Sequence, residues 1–189
     1  GFSHVCGSHL FDEASGEYNL PTLRHLFPDR PLSVVTLTHR IQGLILPAGN
    51  PKGIRGLEDL ARADICLVNR NRGSGTRIWL ERALHQAAID PHQIRGFDQE
   101  VNTHEEAALW VYVGRADLAL GLQSAASRYQ LEFIPLFEER YDLILAEEGK
   151  DKMKPLFDLL SDRAFRQKVS KLPGYSLRQS GEQINLGGP

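Results

Sequence analysis

Apolar and polar residues alternate in period along this chain, and the changes of period mark out its elements. Residues 32–49, "LSVVTLTHRIQGLILPAG", hold two apolar runs rich in β-branched side chains and predict β-structure. Residues 64–70, "DICLVNR", form a compact apolar run of the kind buried on both faces of a parallel sheet. After Gly75 the spacing turns helical. Leu80, Leu84 and Ala87 or Ala88 share one stripe, and Asp90-Pro91 stops it. Residues 102–122 repeat the sequence of helix then strand, with Thr103 and Glu106 spaced as a capping box and Gly114 as the stop.

The remaining segments are shorter. Residues 4–11 read as a strand and turn, 12–19 as a polar loop, and 21–27 as a short helix bounded by Pro28. Residues 50–61 read as a turn and a short helix, and 131–136 and 141–148 as two further strands. Two helices, near 151–161 and 163–171, precede a Gly-rich tail. Strand and helix alternate throughout, which predicts an α/β chain with a parallel sheet. Trp79, Trp110 and Tyr112 fall on helical stretches and are expected in the core.

Composition narrows the function classes. The 189 residues carry a formal charge of −2, whereas nucleic-acid-binding domains usually show a strong basic excess. No apolar run reaches the roughly 18–20 residues that span a bilayer. The opening "GFSHVCGSHL" lacks the basic start and long apolar stretch of a signal peptide. It also lacks an initiator Met, so the chain is open to being a piece of a longer protein whose targeting signal lies elsewhere. Cys6 and Cys66 sit in apolar, strand-like contexts and read as buried thiols. Two cysteines make no disulfide framework, which favours a reducing, cytoplasmic setting, with a periplasmic one left open. Seven histidines are scattered without HxxxH or CxxC spacing, so no metal or other cofactor is expected.

The chemistry concentrates in "LVNRNRGSGTR", residues 67–77. A Gly-Ser-Gly turn between a buried strand and a helix lies at the carboxyl end of a parallel strand, where open α/β sheets place ligands. The N–H groups of the first helical turn lack partners there, and the helix dipole favours negative charge. Gly73 and Gly75 allow close backbone approach, Ser74 and Thr76 offer hydroxyls, and Arg72 and Arg77 offer forked charged donors. A donor-only set suits an oxyanion. An isolated turn of this kind is as readily a plain connection whose Ser caps the helix, and the flanking arginines are what favour a site. No Gly-Lys-Ser/Thr follows, which excludes a Walker-type loop, and the third glycine of a dinucleotide fingerprint is absent.

The segments "GSHLFDEASGEYNLP", "QGLILPAGNPKGIRGLEDLA", "VNRNRGSGTR", "THEEAALWVYVGRADLALGL" and "ERYDLIL" occur in this order. Together they resemble the substrate-binding-protein-like domain found fused to helix-turn-helix regulators and to molybdopterin-biosynthesis proteins. That family is similar to periplasmic molybdate-binding proteins, and the resemblance runs from about Val5 to Tyr175. It implies a class II periplasmic-binding-protein-like fold, two α/β lobes with a ligand cleft between them. Family members usually carry another strand-helix segment before "GSH", which leaves the first lobe open to N-terminal truncation here. The expected division is 1–64 plus 137–189 for lobe I and 65–136 for lobe II.

Under that fold, lobe I contributes Ser8 and His9 from the "GSH" turn, and Tyr141 at the return crossing. Lobe II contributes Asn71, Arg72, Ser74, Gly75, Thr76 and Arg77, with Thr103 and His104 at the second helix start. Each has a plainer alternative. His9 suits a structural role as well as a ligand contact, Thr103 suits a cap, and Tyr141 suits a packed strand. Arg140 has Glu138 and Glu139 beside it as pairing partners. Arg77, inside the first helical turn, opposes the dipole and needs a local reason, either a bound anion or a nearby acid.

The expected function is binding or sensing of a small oxyanion, with molybdate or tungstate suggested by the resemblance. Three arginines fit an organic anion equally well. Ligand binding would regulate a fused DNA-binding or molybdopterin-biosynthesis domain, without direct nucleic-acid contact by this segment, and a homodimer stays open. The alternative is an enzyme acting on a phosphorylated or acyl small molecule. No catalytic residue is assigned, because Ser74 has no evident activating base apart from His104. A ligand-free interaction module is the third reading.

Overall fold

The structure is a computed structural model and describes residues 4–187. In chain order come β1 (Val5–Ser8), β2 (Phe11–Asp12), β3 (Glu17–Tyr18), α1 (Leu20–Leu26) and β4 (Leu32–Leu46). Next are β5 (Leu67–Arg70), α2 (Gly75–Gln86), β6 (Glu100–Val101), α3 (His104–Tyr112) and β7 (Leu118–Leu122). The chain ends with α4 (Gln123–Arg128), β8 (Glu132–Ala146), α5 (Lys154–Ser161), α6 (Arg163–Val169), β9 (Tyr175–Ser176) and β10 (Gln183–Leu186). It divides into two compact units. Unit 1 is Gly1–Arg40 with Glu139–Pro189, and unit 2 is Ile41–Glu138.

In unit 2 the hydrogen-bonding order is β4-β7-β5-β6. β5 runs parallel to β6 and β7, and β4 pairs antiparallel with β7, Gln42 opposite Leu122 and Ile45 opposite Ala119. All four residues of β5 are buried, as a strand covered on both faces requires. The side chains sort by alternation. Leu44, Leu46 and Leu67 join Leu80 and Leu84 of α2 in one cluster. Ile45 and Val68 join Ala107, Ala108 and Val111 of α3 in the other. Residues 41–64 fall in unit 2 rather than in the first-lobe span read from the sequence. Ile54 and Leu60 pack into the same cluster as Leu67 and Leu80, which explains the placement.

In unit 1, β8 lies between β1 and β4. β1 is antiparallel to β8, Val5 opposite Leu145 and Ser8 opposite Asp142. β9 and β10 pair antiparallel with β4. Leu20 and Leu23 of α1 pack on Leu32, Val34 and Leu186, while Leu160 of α5 packs on Val35 and Leu145.

Several expectations change. The sheet is mixed: β5 pairs parallel with β6 and β7, while β1 pairs antiparallel with β8, and β7, β9 and β10 pair antiparallel with β4. The two strands expected around 131–148 are one 15-residue strand, β8, since the charges that interrupt the apolar pattern are paired in place: Glu139 with Arg40 and Arg140 with Asp142. The polar loop at 12–19 includes the small β2–β3 hairpin, and the tail supplies β9 and β10. Cys66 is buried, but Cys6 is exposed on β1. Trp79 and Trp110 are half-buried against the two clusters, whereas Tyr112 is 60% exposed at the end of α3. No helix among the described residues is long and apolar enough to cross a membrane.

Candidate functional site

Unit 2 builds its candidate turn from β5 outward. Asn71 follows the strand, donates its backbone N–H to Val101 and accepts from the Ser74 N–H at 3.1 Å. Gly73 takes φ +83°, and a Cβ there would meet nothing within 4 Å, so backbone conformation rather than space calls for glycine. Ser74 is the N-cap of α2, its Oγ accepting from the Arg77 N–H at 3.3 Å. Gly75 opens the helix. Thr76 is buried and donates its hydroxyl to Gln42 Oε1 at 2.8 Å.

The two arginines part company. Arg77 is 2% exposed. Its Nε donates to Glu81 at 2.6 Å, its Nη1 to the Phe97 carbonyl at 3.0 Å, and its guanidinium carbon lies 4.1 Å over the Phe97 ring. Glu81 and Glu100 thus supply the acidic neighbours that a cation near a helix start needs. Arg72 is exposed and reaches Asp98 at 3.4 Å and Glu100 at 3.5 Å. The open hollow of about 580 Å³ beside both arginines is also lined by Glu81 and Asp98, so it offers both signs of charge.

Thr103 caps α3, accepting from the Glu106 N–H at 3.0 Å, and Glu106 accepts from Asn102 N–H at 2.9 Å, one residue before the cap. His104 lies over Gly121 of β7. β5 and β6 are neighbouring parallel strands, so the turns opening α2 and α3 share one edge of the unit 2 sheet.

Unit 1 brings Ser8, His9 and Tyr141 together with Glu139 and Arg140, and with Asn19, Arg40 and Asp142, which sequence reasoning did not single out. Asn19 is 1% exposed and sits at φ +62°. Its Oδ1 accepts from Ser8 Oγ at 2.7 Å and from the Leu10 N–H at 2.8 Å. Its Nδ2 donates to Asp142 Oδ2 at 2.8 Å. Arg140, expected beside Glu138 or Glu139, instead donates to Asp142 and to the Tyr18 carbonyl, each at 3.0 Å, because alternate strand residues share a face.

His9 Nδ1 lies 2.7 Å from Glu139 Oε1, a close contact bent away from the line of the ring N–H. Arg40 donates to Glu139 Oε2 from Nε at 2.9 Å and also from Nη2. Burial pushes the Glu139 carboxyl up, but the close contact with His9 and the charges of Arg40 and His9 outweigh it and hold the group below its ordinary value. The His9 ring stacks on Tyr141 at 5.4 Å, and the Arg40 guanidinium lies 4.4 Å over the opposite partner in the same ring contact, Tyr141. A Cβ on Gly7 would fall 2.2 Å from the Tyr141 hydroxyl, so glycine is what lets that side chain lie on β1. The polar stretch "THRIQG" within an otherwise apolar strand was the available signal for Arg40 and Gln42. Nothing local marks the pairing of Asn19 with Asp142, which lie 123 positions apart.

The described residues contain no group of three or more His, Cys, Asp or Glu able to hold a metal ion. A family model for the PBP superfamily domain matches residues 1–161. The chain belongs to the PBP superfamily. It is 33% identical to the uncharacterised protein YvgK of Bacillus subtilis over 184 residues, 97% of this chain and 60% of that protein. The PBP chain thus spans about 60% of the length of this relative. A Clostridium pasteurianum protein, uncharacterised and encoded in the 5′ region of a 2Fe-2S ferredoxin gene, is 33% identical over 110 residues, 57% of this chain and 97% of that one. Among solved structures, Peb3 from Campylobacter jejuni superposes with a TM-score of 0.54 at 20% identity, covering 75% of this chain and 67% of that one. A histidine kinase sensor domain with similarity to periplasmic binding proteins gives 0.51 at 14% identity, covering 91% and 70%. These likenesses show a periplasmic-binding-protein-like fold, and the PBP family places the chain among ligand-binding domains.

Proposed function

We propose that this chain binds or senses a small anion, and that the Ser74 turn of unit 2 supplies donors to it. The observation that carries the reading is the start of α2. Ser74 accepts from the Arg77 N–H and so keeps its own hydroxyl proton to give, next to the Gly75 and Thr76 N–H groups that have no intrahelical partner. Asn71 and Arg72 flank that turn, and Thr103 and His104 open the neighbouring helix on the same sheet edge. Arg77 supports the turn from behind, its guanidinium already engaged by Glu81 and Phe97. Ser74 acts as a cap rather than as an activated nucleophile, which supports a binding role over catalysis.

Molybdate or tungstate is the ligand named by the resemblance, and an organic anion is its competitor. In a longer polypeptide the domain would pass occupancy to a fused effector, for which a DNA-binding or molybdopterin-biosynthesis domain is proposed.

A thermal-shift panel of molybdate, tungstate, sulfate, phosphate and small organic acids tests the reading. A ligand at 100 times its dissociation constant adds about 2.7 kcal/mol of stability, a rise of roughly 5–10 °C for a chain of this size. A panel in which no anion moves the midpoint rejects it.

A further inference from the structure

α3 is apolar on two sides, and the described residues cover one of them. Ala107, Ala108 and Val111 are buried in the cluster around Ile45 and Val68. The outer side carries Leu109, Tyr112 and, at the C-cap, Val113, which are 40%, 60% and 54% exposed. Positions 109, 112 and 113 are spaced i, i+3 and i+4, so they form one stripe along the helix. Tyr129, just past α4, widens it, its ring 5.3 Å from that of Tyr112. α2 of the same unit differs. Its exposed positions are Ile78, Glu81, His85 and Gln86, one apolar residue among polar ones, as a helix facing water requires. A helix apolar all round is one that is covered all round, and a contiguous apolar patch rimmed by polar groups marks an interaction surface.

The charges at the two ends of the stripe say what covers it. Besides His104, the only acidic or basic side chains of α3 are Glu105 and Glu106 in its first turn. Arg115 lies exposed beyond the other end, its guanidinium carbon 5.7 Å from the centre of the Trp110 ring. The stripe is therefore acidic at one end, apolar in the middle and basic at the other. Turned end for end, that pattern complements itself. Leu109 lies midway between Glu105 and Val113, so a two-fold axis there sets Leu109 against the partner's Leu109 and Glu105 beside the partner's Arg115. The same arrangement opposes the two helix dipoles. Glu105 meets Arg128 at 3.6 Å, but both side chains are well exposed, and so weak a pair leaves the carboxylate able to take a second cation.

We propose that the outer face of α3 is a self-association surface, on which a second copy of this chain packs antiparallel through Leu109, Tyr112 and Val113. Standard interfaces bury about 800 Å² on each partner, more than one side of a nine-residue helix presents. The dimer is accordingly weak, with an expected dissociation constant on the order of tens of micromolar.

The test is sedimentation velocity of the 189-residue chain from about 5 µM to about 500 µM. The expected result is a mass that rises with concentration from monomer toward dimer. Tyr112→Glu and, separately, Leu109→Lys change exposed side chains, so each variant should keep its melting transition while its association weakens by about tenfold or more. Glu105→Arg alone and Arg115→Glu alone should each weaken association by about fivefold, because each puts like charges together at both ends of the interface. Mixing those two variants restores it, since a mixed dimer again pairs opposite charges at both ends, and a merely local disturbance of α3 would not be cured by mixing. A chain that stays monomeric at every concentration overturns the proposal and leaves the face to a different partner. A dimer that both Tyr112→Glu and Leu109→Lys leave intact also overturns it, as does a mixture that associates no better than its components.

Discussion

The Ser8 turn of unit 1 and the Ser74 turn of unit 2 start from similar letters, "GSH" and "GSGT", and end with opposite hydrogen-bonding sense. Ser8 donates its hydroxyl proton to buried Asn19, whereas Ser74 receives the Arg77 N–H and keeps its proton. The difference comes from the partner. A carbonyl oxygen behind a serine consumes its hydrogen, and a helix N–H behind it consumes a lone pair. Charge follows the same logic. Arg40 in unit 1 and Arg77 in unit 2 are both held by carboxylates, so neither turn owes its character to an uncompensated arginine.

The largest expected effect comes from removing the partner that sets the sense of the Ser8 turn. Asn19→Ala strips the Asp142 carboxylate and the Leu10 N–H of a buried partner and places a Cβ-bearing residue without side-chain compensation at φ +62°. A loss of about 3 kcal/mol is expected in urea unfolding. A loss below 1 kcal/mol would show that the network is incidental to the fold.

Arg77→Ala comes next. It removes a buried side chain stacked on Phe97 and one of two donors to the Phe97 carbonyl, the other being Asn69 Nδ2, for an expected cost of about 2–3 kcal/mol. Because its partners Glu81 and Glu100 are part-exposed, the ion pairs add little to that figure. The Arg77 role is structural if stability falls without ligand while affinity of the folded variant holds, and anion-facing if affinity falls instead.

Glu139 gives the comparison a pH axis. Its folded pKa lies below the ordinary value of 4.5, so its contribution is fully present above about pH 4.5 and is lost as pH falls through the lower folded value. Glu139→Gln should therefore flatten the acid limb of the stability profile below pH 4.5, with chemical denaturation at several pH values as the measurement. An unchanged acid limb would mean that the carboxyl gains nothing from Arg40 and His9.

Arg72→Ala has the smallest expected effect on the fold, within about 0.5 kcal/mol, because the side chain is 76% exposed and its ion pairs are long. Anion affinity in the same variant is expected to fall by up to tenfold, more at low salt than at high.

Much of unit 2 was legible because its elements are local. β5, α2 and α3 each declare themselves by period and by caps, and Ser74 and Thr103 cap as their spacing suggested. The unit 1 network was not, because its parts are joined over long separations. Asn19 meets Asp142 across 123 positions and Arg40 meets Glu139 across 99, and neither pairing leaves a periodic trace. β8 was read as two strands for the same reason: residues 137–140 look like a break until their charges find partners elsewhere in the chain. The arginine cluster misled in a different way. Sequence shows three guanidinium groups within eight residues, but not the carboxylates of Glu81, Asp98 and Glu100 that fold against them.

The exposed thiol on β1 turns this chain into its own reporter. Cys6 is accessible and Cys66 is buried, so a maleimide dye should couple to the native protein at one position and to the urea-unfolded protein at two. The labelled atom stands two residues before Ser8, on the strand that leads into the Ser8–Asn19 hydrogen bond. An environment-sensitive fluorophore placed there would read local opening of unit 1 as a change of emission, without any engineered cysteine.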